Sequence, residues 1–151
     1  MNNTKTDLTS DPNVEDWELL AQVAQAYRTL SESFMDGIGM HRAQATLLCR
    51  LYVNNGMTQS ELGDQLGVQG ATVTNILQRV EEAGLVARRR DPDDNRLVRV
   101  YLTETGRERE RAITHKFAEL EAAVFSGISE AERVRLRSLL RQMLANMSVK
   151  V

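Results

Sequence analysis

Residues 85–103 read LVARRRDPDDNRLVRVYLT, and in them Arg88, Arg89, Arg90, Arg96 and Arg99 surround a turn holding three aspartates. Guanidinium groups at this density suit the phosphates of a polyanion, which they can grip bidentately. A solvated hairpin is the competing reading. A second stretch with chemical possibilities is ATVTNILQR at 71–79. On a helical wheel with Val73, Ile76, Leu77 and Val80 inward, Ala71, Asn75 and Gln78 point outward with Thr74 beside them, and Thr72 and Arg79 fall on the flanks. Small and amide side chains on an outer face suit a helix entering the major groove of a duplex, where bulk would prevent approach. Asparagine pairs with the edge of adenine, a threonine methyl packs on thymine, and the flanking Thr72 and Arg79 can hold phosphates.

Little else in the chain suggests catalysis. It has no glycine-rich phosphate loop, no nucleophile motif, and only two histidines and one cysteine, so no enzyme activity and no cofactor are expected. His41 and His115 cannot hold a metal unaided. The single Cys49 excludes an intrachain disulfide and a multi-cysteine zinc site. Its place within a helix suits a small packing residue.

The formal charge is −2, but its distribution matters more than its sum. Residues 1–40 hold 2 basic and 7 acidic side chains, 41–103 hold 8 and 7, and 104–151 hold 9 and 7. The acidity is concentrated at the start, so the middle can present a local basic surface. A length of 151 residues, with 42 % hydrophobic and 26 % charged, suits one soluble domain with long helical extensions. No apolar run approaches a membrane span, and MNNTKTDLTSDPN lacks a signal pattern, so a cytoplasmic protein without a membrane partner is expected.

The elements that must position these residues can be read from periodicity. Residues 1–13 are polar and expected to be flexible. From Val14 to about Phe34, apolar residues recur at Trp17, Leu20, Val23, Tyr27, Leu30 and Phe34 with helical spacing. A second helix fits Arg42–Tyr52, ended by Asn54-Asn55-Gly56. Thr58-Gln59-Ser60-Glu61 is a capping box flanked by the staple pair Met57 and Leu62, and Gly67 stops the helix it opens. Ala71 to about Glu82 follows closely, making a helix-turn-helix. Leu85–Arg90 and Leu97–Leu102 are β-prone, with Val98, Val100 and Leu102 alternating toward a core, and Asp91–Arg96 is their turn. Beyond Thr103 the chain returns to helix, with Ile113, Phe117, Leu120 and Val124 on one stripe. Gly127 interrupts it, Ser129–Glu132 is another capping box, and a Leu/Met seam runs from Leu136 to Met147. The fold class is mostly α with a small β-hairpin wing.

In that order the sequence resembles the multiple-antibiotic-resistance regulator (MarR) family of winged helix-turn-helix transcription factors. The resemblance rests on MTQSELGDQLGVQGATVTNILQRVEEAGLVARRRDPDDNR and VYLTETG, within 57–106. Leu-Gly-Val, Thr-Val-Thr, Gly-Leu-Val, Asp-Pro-x-Asp-x-Arg and Leu-Thr-x-x-Gly all stand in register with the family pattern. It implies a DNA-binding core at about 41–103 within a single domain, 14–151, and dimerisation helices at about 14–36 and 104–147. It implies a homodimeric, ligand-responsive repressor on a pseudo-palindromic operator of double-stranded DNA. It puts Arg96 at the wing tip in the minor groove, with Asp94 as the aspartate that orients it; Arg88, Arg89, Arg90 and Arg99 are phosphate candidates. Family members often bind small aromatic anions in a cleft that Tyr27 and His41 could border. Two departures stand out: Gln69 replaces a common serine N-cap, and Asn75 replaces a common arginine. A dimeric protein-interaction module, or a redox-responsive regulator using Cys49, are the alternatives, although family members that sense peroxide carry their cysteine near the start of the first helix.

Overall fold

A computed structural model describes residues 14–148; the segment 1–13, expected to be flexible, lies outside the described residues. The first helix, α1, spans Asp16–Asp36, and α2 spans Arg42–Val53. Thr58 is the N-cap of α3 (Gln59–Leu66): its hydroxyl accepts from the Glu61 N–H at 3.2 Å, and the Glu61 carboxylate accepts from the Thr58 N–H at 2.7 Å. Both arms of the box are made, which satisfies two of the orphan donors of a helix start. Gly67 ends α3 at φ +63, a left-handed conformation that costs glycine nothing.

The next helix, α4, runs Gly70–Glu82, and its N-cap Gln69 makes no side-chain cap bond. Strands β2 (Val86–Arg90) and β3 (Val98–Leu102) form the antiparallel wing. A third strand, β1 (Met57–Thr58), pairs with the other edge of β3, Met57 opposite Val100, so the sheet order is β1-β3-β2. The sequence reading missed β1, giving Met57 only a staple role; the residue is buried in the core.

The core gathers Leu47, Leu48 and Leu51 of α2, Leu62 of α3, Val73, Leu77 and Val80 of α4, Val86 and Val100 of the sheet, and Ile113 from the C-terminal half. Each such side chain contributes about 1.5–3 kcal/mol of transfer free energy. The expected inward alternation of β3 holds at Val100 and Leu102 but not at Val98, which is 43 % exposed because the wing has already left the core there.

After β3 the expected continuous helix is divided into α5 (Glu104–Glu108) and α6 (Glu110–Val124), which meet at Arg109. The Leu-Thr-x-x-Gly run explains the junction with the wing. Thr103 caps α5 by accepting the Gly106 N–H at 3.0 Å, and its own hydroxyl donates to the Gly84 carbonyl at 2.6 Å. Gly106 lies so close to Leu85 that a Cβ there would come 2.0 Å from the Leu85 carbonyl oxygen. The Gly106 carbonyl accepts the Tyr52 phenol at 2.8 Å. The last helix, α7, spans Glu130–Ser148.

Candidate nucleic-acid interface

The buried stripe of α4 is Val73, Leu77 and Val80, with Ile76 half-buried; Ala71, Thr72, Thr74, Asn75, Gln78 and Arg79 are all exposed. These exposed groups differ in what they already hold. The Thr74 hydroxyl donates to the Gly70 carbonyl at 2.8 Å and accepts from the Gln59 amide at 2.7 Å. The Gln78 amide donates to Glu82 at 2.8 Å. Asn75 makes no side-chain hydrogen bond among the described residues, so both faces of its amide are open to a base edge. Gln59 is a residue that the sequence reading missed. The capping box placed it at the start of α3, and the shortness of the turn to α4 was the signal that this end abuts the next helix.

The wing arginines are more committed than a row of phosphate ligands. Arg88 binds Glu81 of α4 with Nη2 at 2.6 Å and Nε at 3.0 Å. This bond holds the Glu81 carboxyl below its usual pKa and raises that of Arg88. Arg89 lies over the Tyr101 ring, 5.9 Å from its centroid. Arg90 donates to the Asn95 carbonyl at 3.3 Å. Arg99 is drawn inward: its Nε donates to the buried Asp91, and its Nη1 to the Gly56 carbonyl at 3.0 Å. The other Asp91 oxygen accepts the Asp93 and Asp94 N–H groups at 2.8 and 3.2 Å. Arg99, then these backbone donors, depress the Asp91 pKa.

The aspartate holding a guanidinium is Asp91, which takes Arg99; Asp94 instead accepts the backbone N–H of Arg96 at 3.0 Å and shapes the tip. Arg99 ties the wing to the 56–58 segment through the Asp91 carboxylate and the Gly56 carbonyl. The Arg96 guanidinium has no hydrogen bond or ion pair among the described residues. It stands exposed on a tip whose backbone is hydrogen-bonded by Asp91 and Asp94.

Known proteins share this arrangement. The MarR family model matches residues 40–98. The uncharacterized HTH-type transcriptional regulator YdgJ of Bacillus subtilis (strain 168) is 31 % identical over 134 residues, covering 89 % of this chain and 82 % of the relative. The chain belongs to the MarR family. Solved structures of the same class include an S. aureus MepR–DNA complex, at TM-score 0.80 and 26 % identity, covering 88 % of this chain and 98 % of that one. Another is Bordetella bronchiseptica BpsR, whose DNA binding is regulated by 6-hydroxynicotinic acid, at TM-score 0.80 and 26 % identity, covering 88 % and 95 %. This MarR-family chain is therefore a transcription regulator built on a winged helix-turn-helix.

Away from the wing, α1, α2 and α6 border an open cleft. Tyr27, Arg42, Cys49, Arg50 and Phe117 are among the residues that line it. Tyr27 lines this cleft and His41 does not. The imidazole of His41 turns to Glu32 instead, with Nδ1 2.9 Å from Oε1. Cys49 is half-buried, and burial pushes its thiol pKa up, the opposite of what a reactive thiolate requires. Among the described residues no helix is long and apolar enough to cross a membrane.

Proposed function

We propose that this regulator acts as a homodimer on a pseudo-palindromic operator, reading bases with α4 and flanking minor groove with the wing tip, and that a small aromatic or anionic effector releases it. The observation that carries the reading is selective: where Arg88, Arg90, Arg99, Thr74 and Gln78 are already hydrogen-bonded, Asn75 and Arg96 are left open. An unpaired amide on the outer face of α4 suits adenine, and an unpaired guanidinium on the exposed tip suits the negative potential of a narrow A·T-rich minor groove. Ala71, Thr72 and Arg79 complete the surface, with Arg88 and Arg90 as phosphate contacts only if their internal partners let go.

Two further features support the assembly and its control. Apolar side chains stand exposed on α1 and α7, with Trp17 at 71 %, Val23 at 64 % and Met147 at 64 %. A second copy placing its own α1 and α7 against them covers this surface and sets two recognition helices about one DNA turn apart. The dimerisation segments are then 14–36 and 104–147, around a DNA-binding core at 41–103. The Arg42 and Arg50 cations beside Tyr27 and Phe117 suit an aromatic anion in the cleft, and the BpsR relative is regulated by such a ligand.

The test is a duplex selected from a random pool by the full-length chain, footprinted and then titrated with variants. Two protected half-sites about one turn apart are expected. Asn75→Ala should cost about 1–3 kcal/mol on the operator and relax one base pair per half-site. Arg96→Ala should weaken the operator most where its flanks are A·T-rich. A single asymmetric footprint, or an Arg96→Ala variant with unchanged affinity and salt slope, contradicts the proposal.

A further inference from the structure

The turn joining α1 to α2 brings together Glu32, Asp36 and His41, whose ligand atoms all lie within 4.8 Å of one another. Glu32 and Asp36 are one turn apart near the C-terminal end of α1, where like charges repel and the helix dipole disfavours carboxylates. No basic residue occupies the last turn of α1 to offset them. Two neighbouring cations point elsewhere: Arg109 donates to the Ile38 carbonyl at 2.7 Å, and Lys116 to Glu119 at 2.7 Å. Glu32 has a structural task, since its two oxygens accept the Arg42 N–H at 3.3 Å each and cap α2. Asp36 has none; its carboxylate makes no hydrogen bond or ion pair among the described residues. An unoccupied carboxylate facing a carboxylate and an imidazole is a set of three donors without a cation.

We propose that Glu32, Asp36 and His41 form a binding site for a divalent transition-metal ion of the zinc class. One imidazole and two carboxylates suit Zn2+ and its neighbours better than Ca2+ or Mg2+, which take oxygen ligands only. Metal–ligand bonds of about 2.1 Å in tetrahedral geometry put donors about 3.4 Å apart. The present geometry lies near that value, with His41 to Glu32 at 2.9 Å and all three ligand atoms within 4.8 Å of one another. His41 is 61 % and Glu32 41 % exposed, so their rotamers can close the difference without moving the core. Three protein ligands leave a coordination position for water. The ion bridges the last turn of α1 and the first turn of α2 across the 37–40 segment.

The experiment is titration of metal-stripped full-length protein with Zn2+ in competition with a chromophoric chelator, repeated with Co2+ for its ligand-field spectrum. One ion per chain is expected. Asp36→Asn, which removes a carboxylate with no structural partner, should weaken binding roughly 10-fold or more. His41→Ala should weaken it at least as far, and circular dichroism checks that both variants remain folded. His115→Ala should bind as the wild type does; His115 sits 3.3 Å from Glu119 and is the rival imidazole. Absence of binding, wild-type affinity in Asp36→Asn, or loss of the ion in His115→Ala overturns the assignment.

Discussion

Replacing Glu81 by Gln should tighten binding to DNA, because Glu81 holds the Arg88 guanidinium against α4. Arg88 reaches it at 2.6 and 3.0 Å, and both side chains are about a third exposed, at 35 % and 37 %. Solvent screens such a pair, which is worth about 0.2–1 kcal/mol. The depressed Glu81 pKa means the carboxylate is charged at neutral pH, so the pair is present whenever DNA binding is assayed. A duplex recruiting Arg88 to a phosphate must first break it. Glu81→Gln removes that cost and predicts an affinity gain of about 1.4- to 5-fold, alike on operator and scrambled duplex. Where the wild-type complex leaves Arg88 on Glu81, the freed contact also steepens the salt slope by about one. Fluorescence anisotropy over a salt series reads both quantities, and a double-mutant cycle with Arg88→Ala isolates the coupling. Arg88→Ala should cost more in the Glu81→Gln background than in the wild type. Equal costs in the two backgrounds, with unchanged affinity and slope for Glu81→Gln, would show that Arg88 never leaves Glu81 for the duplex.

Gly106→Ala forces a methyl to within 2.0 Å of the Leu85 carbonyl and should cost about 3 kcal/mol by urea denaturation, whereas Gly70→Ala meets open space and should be neutral to about 1 kcal/mol stabilising. Asp94→Ala removes the bond shaping the wing tip; operator affinity should fall while stability changes by less than about 1 kcal/mol. The Tyr52 phenol, pushed up to about 12 chiefly by burial, should be the last to ionise in an ultraviolet titration, and Tyr52→Phe should delete that component. Because the folded value lies above the unfolded one of 10.0, its contribution to stability is present below pH 10 and is lost as pH rises toward 12.

The parts of the fold that were legible in the sequence are those whose signals are local. Thr58 and Glu61 sit three apart and cap each other whatever surrounds them, and the α4 stripe of Val73, Leu77 and Val80 needs only its own period. What escaped depends on distant partners. Met57–Thr58 is a strand only because Val100 and Arg99 lie beside it, more than 40 residues later. The division of α5 from α6 at Arg109 carries no glycine or proline to announce it. Within the site, the sequence put arginines and aspartates in one turn but could not pair them. Asp91 wins Arg99 because it is buried and carries two backbone donors, while Asp94 is left to the tip. His41 went to Glu32 for the same kind of reason, a neighbour nine residues away across a turn.

The central place of β3 also limits how this chain can drift in sequence. Its residues 99 and 100 are paired on both edges, to Thr58 and Met57 on one side and to Arg89 and Arg88 on the other. A single-residue insertion there slips the register and exchanges buried Val100 for a charged neighbour. It also pulls on Thr58, which is at once a strand residue and the cap of α3, so the error spreads into the helix-turn-helix. Between Asp91 and Leu97, by contrast, the loop is closed by a backbone bond at its base, with the Leu97 carbonyl accepting the Asp91 N–H at 2.9 Å. Lengthening beyond that bond disturbs no paired strand. An added residue at the tip therefore leaves the strand register intact and is felt only through the Asp91 and Asp94 bonds that shape the turn.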